Sequence, residues 1–486
     1  MNDHDPDGLR LPVRIDSTSN GEFMPVPLDR RHRVANTTAL IRAGENARRT
    51  GRTRRQFMVS ACGAATTLLA INDVNAAAGK VGARFALPSE AALDEGAALA
   101  ALDGDEFIFD VQGHYVNPQG AWLRRTREGH SPHGWMANPC IEGESDAVAA
   151  LSCLGPERFI QDVFLDSDTD MMVLSFVPST RADEPLSIEE AEVTRRIVEA
   201  MPGHHRLMLH GRVNPNQAGD LEDMDRLAAD FPIAAWKTYT QWGPQGRGFF
   251  MTDEIGERLI ANARRLGIRN IAIHKGLAFG RRSFEHSTCV DIGEAARRHP
   301  DINFIIYHSG FDTGTSETAF VPGHGKAAGI DVLCQSLLDA QVGPGANVYA
   351  ELGSTWRFLM RDPEQAAHAL GKLVRYCGEN NVLWGTDSVW YGSPQDQIQA
   401  FRTFEMSTAL RDAHEYPLMT RELKGKIFGL NAARPYGISA QEIKQRAAAD
   451  RLGQQRLAYR EQANPSFLTH GPRSRREFLA LKANGG

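Results

Sequence analysis

A closed barrel of eight parallel strands with intervening helices, the (β/α)8 TIM-barrel class of α/β fold, is predicted for this 486-residue chain by three observations. Between Phe107 and Asp387, eight short β-rich apolar runs alternate with amphipathic helical segments. Most of these runs end in a polar or titratable residue, where burial favours an apolar one. No G-x-G-x-x-G turn follows the first run, which argues against an open doubly wound sheet.

The first run, Phe107 to Val116, is the inner strand of a parallel sheet by its apolar character, and it closes on Asp110, Gln112 and His114. Gln112 and His114 are two apart and therefore share one side of a strand. Residues 119 to 155 then form an irregular insertion with His130, His133, Trp135 and Cys140, read as a lid or binding wall. The second run is Met171 to Val177, stopped by Pro178. Ser187 and Glu190 spell a capping box for the helix behind it. The third run is Arg206 to His210, followed by Arg212, and the fourth is Ile233 to Tyr239. A helix from about Thr252 to Gly267 leads to the fifth, Asn270 to Lys275, and another over about Ile292 to Arg298 leads to the sixth, Asn303 to His308. The helix from Ala328 to Ala340 precedes the seventh run, Asn347 to Glu351. Asp362-Pro363 opens the next helix with an N-cap and a first-turn proline, and the eighth run is Asn381 to Asp387. A closing segment around Phe428-Gly-Leu-Asn431-Ala-Ala-Arg434 completes a barrel unit over residues 79 to 440.

Residues 1 to 50 are rich in Arg, Asp, Asn and Pro without sustained periodicity, and are expected to lack order. Arg54-Arg55-Gln-Phe-Met, a modestly apolar stretch from Ala61 and the small-residue run Ala76 to Ala78 resemble a twin-arginine signal, too short to anchor in a bilayer. The expectation is export to the periplasm by the twin-arginine machinery, with residues 1 to 78 as extension and signal. A cytoplasmic protein follows if that motif is fortuitous. Residues 441 to 486 form a polar, helical tail. The net charge of -6 does not suggest a nucleic-acid partner, and no stable membrane insertion is expected. Six widely spaced cysteines without a C-x-x-C pair argue against a disulfide scaffold or a zinc ribbon.

A barrel of this class brings all strand carboxyl ends to one rim. Collected there are Gln112, His114, His210, Lys237, His274, His308, Glu351 and Asp387, with Trp236, Tyr239, Trp242, Trp356 and Trp390 as candidate aromatic walls. Imidazoles and carboxylates together suit divalent zinc, manganese or iron.

Gln112-x-His114, Ile-Ala-Ile-His274, Tyr-His308-Ser-Gly, Trp-Gly-Thr-Asp387 and Phe-Gly-Leu-Asn431-Ala-Ala-Arg are similar to motifs of the amidohydrolase superfamily, in particular its amidohydrolase-related branch of decarboxylases and hydrolases. The resemblance implies one divalent metal, zinc with manganese or iron as alternatives, held by His114, His274 and Asp387. It makes His308 and Asp387 the groups that orient or deprotonate water. Lys237 sits where related enzymes carry a carbamylated, metal-bridging lysine. Gln112 departs from the usual H-x-H pair and would be a weak ligand. His210, Arg212, Trp236 and Glu351 are left as substrate-binding candidates. The expected function is hydrolysis of a small-molecule amide, lactone or ester by a homo-oligomer. The alternatives are non-oxidative decarboxylation of an unsaturated or aromatic acid, with Arg212 or Lys237 binding its carboxylate, and an exported binding protein on an inactive barrel.

Overall fold

The computed structural model describes residues 7–120, 122, 149, 151–200, 205–243, 246–278, 284–323, 327–448, 451–460, 465 and 467–479. Eight strands form one parallel sheet in sequential order: β1 Phe109–Gly113, β2 Met171–Leu174, β3 Leu207–Arg212, β4 Ile233–Tyr239, β5 Asn270–His274, β6 Asn303–Tyr307, β7 Val348–Glu351 and β8 Val382–Leu383. The last strand returns to the first. Val111 N donates to Trp384 O at 3.0 Å, Asp387 N donates to Gln112 O at 2.9 Å, and Gly113 bridges Ser388 in parallel. Asp110 seals this seam, accepting from Gln112 N at 3.0 Å and Thr386 N at 3.1 Å, and from the Thr386 hydroxyl. The sheet is thus a closed barrel.

Strand alternation divides the apolar residues into two layers. Phe109, Met171, Ala272, Ile305 and Tyr349 fill the barrel interior, where Tyr436 packs edge-on against Phe109. Ile271, Ile273, Phe304 and Ile306 face the surrounding helices. The local signals in the sequence act as expected. Ser187 Oγ accepts from Glu190 N at 3.2 Å while Glu190 accepts from Ser187 N at 2.9 Å. Asp362 and Pro363 open the helix Pro363–Tyr376. Histidines 130 and 133, Trp135 and Cys140 of the insertion lie outside the described residues. Cys62, Cys289, Cys334 and Cys377 are buried free thiols, whereas Cys153 is disulfide-bonded, a bond that the spacing did not suggest.

The expected lack of order in residues 1 to 50 is corrected. From residue 7 onward the segment is folded, with Leu11, Val13 and Ile15 fully buried and an α-helix over Arg30–Arg49. That helix buries Ala35, Ala39, Ala43 and Ala47, one small residue per turn, against the helix Ala61–Ala77. Alanines carry little hydrophobic contrast, which is why the stripe does not stand out among arginines. The polar residues nearby are spent in buried ion pairs. Arg14 Nε meets Asp396 Oδ2 at 3.0 Å, with side chains 2% and 1% exposed, and Arg357 meets Asp16. Arg14 also donates to Ser393 O and Leu468 O, and Ser19 N donates to Pro472 O, so residues 11 to 23 run as a strap between the barrel rim and the tail. The stretch that resembles an export signal lies in the helices Arg54–Met58 and Ala61–Ala77, where Cys62, Ala65 and Leu68 are fully buried. Among the described residues no helix is long and apolar enough to cross a membrane. The tail is helical over Ala440–Ala448 and Arg451–Arg460.

Removing one partner of a dry ion pair leaves the other charge buried and uncompensated. Asp396→Ala is therefore expected to destabilise the folded chain by about 3 to 5 kcal/mol, read from urea unfolding. A loss under about 0.5 kcal/mol, ordinary for a surface substitution, would show that the strap is not held in this way.

Candidate metal centre and active site

Two groups of side chains meet at the carboxyl rim. In the first, His274 at the end of β5 and His308 just after β6 place Nδ1 and Nε2 3.2 Å apart. The remaining ring nitrogens identify the tautomers. His308 Nδ1 lies 2.7 Å from Gly353 O and His274 Nε2 3.4 Å from Leu277 O. A carbonyl only accepts, so each ring donates there and turns a lone pair toward the other. Burial keeps both rings neutral: it pushes His308 down to about 4, with Asp387 opposing, and holds His274 well below the usual histidine range. The Glu22 carboxylate joins them, 3.5 Å from His274 Nδ1 and 3.6 Å from His308 Nε2. Three acceptors face one another in a buried space.

In the second group, Asp387 Oδ1 accepts from Gln112 Nε2 at 3.0 Å and stands 3.2 Å from His114 Nε2. Its Oδ2 accepts from Asn20 Nδ2 at 2.6 Å and Ser354 Oγ at 2.5 Å. Burial alone would raise Asp387, but His114, through a hydrogen bond and charge, and Ser354 hold it below the usual carboxylate range. Four donors on two oxygens use the acceptor capacity of a carboxylate. His114 lies against Trp390, with ring centroids 6.1 Å apart, and its buried Nδ1 has no hydrogen-bond partner among the described residues. Asn20 links the groups, because the same Nδ2 also donates to Glu22 Oε2 at 2.6 Å.

The backbone around these residues is unusual. His308, Ser309, Ser354 and Asp387 all have positive φ, at 64°, 53°, 54° and 58°. Non-glycine residues persist there only where surrounding contacts fix them, and such positions concentrate at functional sites. Glu351 is one of those contacts: its carboxyl accepts from His308 N at 3.0 Å and Gly353 N at 2.5 Å. Burial raises its pKa well above the carboxylate range. A Cβ on Gly385 would sit 1.6 Å from Glu351 Oε1, and one on Gly353 2.2 Å from Gln112 Oε1. Both positions must be glycine for these side chains to occupy the rim.

Lys237 projects into the barrel 3.7 Å from the Tyr307 ring centroid and 4.5 Å from that of Tyr239. Its buried Nζ has no hydrogen-bond partner among the described residues. Burial brings its pKa down to about 7, partly opposed by Glu22, Glu351 and Asp387. Tyr239 in turn stacks on His274 at 4.9 Å. His210 lies deeper, with Nδ1 3.0 Å from Ser175 Oγ and Nε2 3.4 Å from Tyr307 OH.

Two expected substrate contacts are not brought to the site. Trp236 neighbours Lys237 on β4, so it must point the other way, and its ring lies against Gly211 in the helix-facing layer. Arg212 is spent on Glu184, Asp220 at 3.1 Å and Ser179 O. Trp356 likewise packs between Phe401 and Phe404 rather than walling the mouth. Asn20 and Glu22, missed in the sequence, join these side chains from a remote polar segment whose pattern carries no sign of the rim.

The first group suits a cation. Ligand bonds of about 2.1 Å to one ion place two donor atoms roughly 3 Å apart, as His274 Nδ1 and His308 Nε2 are. His114 Nδ1, Gln112 Oε1 and Lys237 Nζ, buried and without hydrogen-bond partners among the described residues, add polar capacity within the rim.

A closed parallel barrel whose carboxyl rim gathers imidazoles and carboxylates defines a barrel-enzyme class. Residues 239–438 match the family model described as Amidohydrolase, a match over the second half of the barrel. No curated protein matches it by sequence. Among solved structures it is similar to 5-carboxyvanillate decarboxylase from Sphingomonas paucimobilis, at 14% identity and a TM-score of 0.42 over 69% of this chain and 100% of the other. It is also similar to 2,6-dihydroxybenzoate decarboxylase from Rhizobium, at 12% identity and 0.39 over 69% and 99%. An amidohydrolase from Mycobacterium avium subsp. paratuberculosis gives 12% and 0.39 over 70% and 100%. Likenesses of this size say nothing of the reaction.

The lowered pKa of Lys237 carries a stability signature. Between about 7 in the folded chain and 10.5 in the unfolded one, the unfolded state binds more protons, so stability rises with pH across that window. Lys237→Met is expected to remove this rise, on the order of 4 kcal/mol over the whole window, in urea unfolding at pH 7 and pH 10. An unchanged pH dependence would contradict the burial of a neutral amine.

Proposed function

We infer that the chain is a hydrolase that uses one divalent cation to open an amide, ester or lactone bond of a small molecule. The observation that carries this reading is the facing His274 and His308 nitrogens at 3.2 Å beside the His114 and Asp387 pair, also at 3.2 Å. A divalent cation held at His274 and His308 supplies Lewis-acid chemistry toward a carbonyl group. Zinc is the proposed ion, with manganese or iron as alternatives.

The remaining residues move the proton. Asp387, kept anionic by its donors, orients His114 through Nε2, so His114 Nδ1 is the base that takes a proton from water and returns it to the leaving group. Trp390 fixes the plane of that ring. This division gives His308 the holding role and His114 the proton-transfer role, the reverse of what the family resemblance implies; the four hydrogen bonds around Asp387 support it. A carboxylate on the substrate fits the unpartnered Lys237 Nζ.

Lys237 also favours a second reading, non-oxidative decarboxylation of an unsaturated or aromatic acid, since that reaction needs a cation at the carboxylate and Arg212 is already paired. Export through the Arg54-Arg55 motif and assembly as a homo-oligomer are proposed on the sequence alone.

Small carboxylated esters, lactones, amides and aromatic acids, assayed for hydrolysis products and for carbon dioxide, separate the readings. Hydrolysis that stops on chelation and returns with added metal is expected. Carbon dioxide release without hydrolysis would favour the decarboxylase, and no turnover of any compound with no bound metal would favour a binding protein. His114→Asn is expected to lower kcat by about 100-fold or more without loss of metal, the usual size of a general-base contribution. A variant retaining more than half the rate would remove His114 from the mechanism.

A further inference from the structure

We propose that Glu22, carried by the N-terminal strap, is the carboxylate ligand of the cation held by His274 and His308. The inference rests on the metal-dependent reading above. Three features of the structure carry it.

The first is chemical. Two imidazole lone pairs and a carboxylate all converge, each an acceptor and none able to donate to the others. Their ligand atoms lie within 4.8 Å of one another, and a shared cation turns their mutual repulsion into attraction.

The second is that the barrel's own carboxylates are committed. Asp387 is saturated by Gln112, His114, Asn20 and Ser354, and Glu351 is taken by the His308 and Gly353 amides. Gln112 offers only a neutral amide, whose Nε2 already donates to Asp387. Glu22 is the carboxylate that reaches His274 and His308 among the described residues.

The third is that the strap holds Glu22 in place. Its side chain is 15% exposed, and Asn20 ties it to Asp387 through Nδ2 while its Oδ1 accepts from Glu22 N at 2.9 Å. Gly21, at φ 86°, makes the turn that brings residue 22 back to the rim. Upstream, the Arg14–Asp396 and Asp16–Arg357 pairs clamp the strap within the fold. A segment anchored by dry ion pairs is a resident part of the site rather than a lid that leaves with each turnover. Cation binding is therefore coupled to a segment more than two hundred residues before either histidine, and a chain exported through the Arg54-Arg55 motif keeps this ligand only if it keeps its extension.

The full-length chain, stripped of metal and titrated with cobalt(II), tests this by visible absorption and by metal content after dialysis. Glu22→Gln keeps the size and loses the charge; Glu22→Asp keeps the charge and withdraws it by one methylene. His274→Ala serves as the reference for loss of the site. Wild type is expected to take up one cobalt per chain, and both Glu22 variants to bind it at least about 10-fold more weakly with altered ligand-field bands. Melting of the metal-free proteins is expected to be alike, with the cobalt-induced rise in Tm reduced in the variants. Glu22→Gln with wild-type affinity and spectrum, while His274→Ala binds none, would overturn the assignment of Glu22 and leave the metal-dependent reading intact. Wild type and His274→Ala both failing to bind would overturn both. If Glu22→Gln does not fold, unchanged cobalt binding by Glu22→Asp would likewise remove Glu22 from the site.

Discussion

Two neutral imidazoles turned lone pair to lone pair at 3.2 Å are the constraint around which the rim is arranged. Each ring is fixed by a carbonyl behind it, Gly353 O for His308 and Leu277 O for His274, so neither can turn away without breaking that bond. Burial removes the simplest remedy, protonation, by holding both rings below their ordinary range. The remedy we propose is a positive ion. The carboxylates of Asp387 and Glu22 provide compensating charge on the same rim, one through the barrel and one through the strap.

The barrel supplies this arrangement through its seam. Asp110 closes β1 onto the loop after β8, and that closure carries Gln112, His114 and Asp387 to one another. On the opposite side of the mouth, Glu351 holds the backbone after β6 in a left-handed conformation and so aims His308 at His274. These contacts lie in the interior and are paid for by burial elsewhere. A site built on strand ends is rigid, while the contribution of the strap depends on a chain segment remote in sequence.

Much of the barrel and half of the site were legible because parallel strands write themselves as apolar runs with polar ends. Gln112 and His114, two apart on one strand, and the terminal His274 could be placed at one rim by that logic, and His308 and Asp387 by their places just beyond strand ends. The same alternation, followed one residue further, excludes Trp236 once Lys237 points inward. Arg212 shows a different limit: its position at a strand end was correct, but its partners Glu184 and Asp220 come from separate segments that no spacing reveals. The N-terminal segment is the clearest case. Its helix is stabilised by an alanine stripe, and Asn20 and Glu22 acquire meaning only when the strap crosses the barrel mouth.

The measurement that bears most directly on this account is anomalous diffraction at the cobalt edge from crystals of the cobalt-loaded full-length chain. A single peak within bonding distance of His274 Nδ1, His308 Nε2 and a Glu22 carboxylate oxygen is the expected result. A peak bonded to His114 and Asp387 with Glu22 withdrawn, or no peak at the rim, would contradict it.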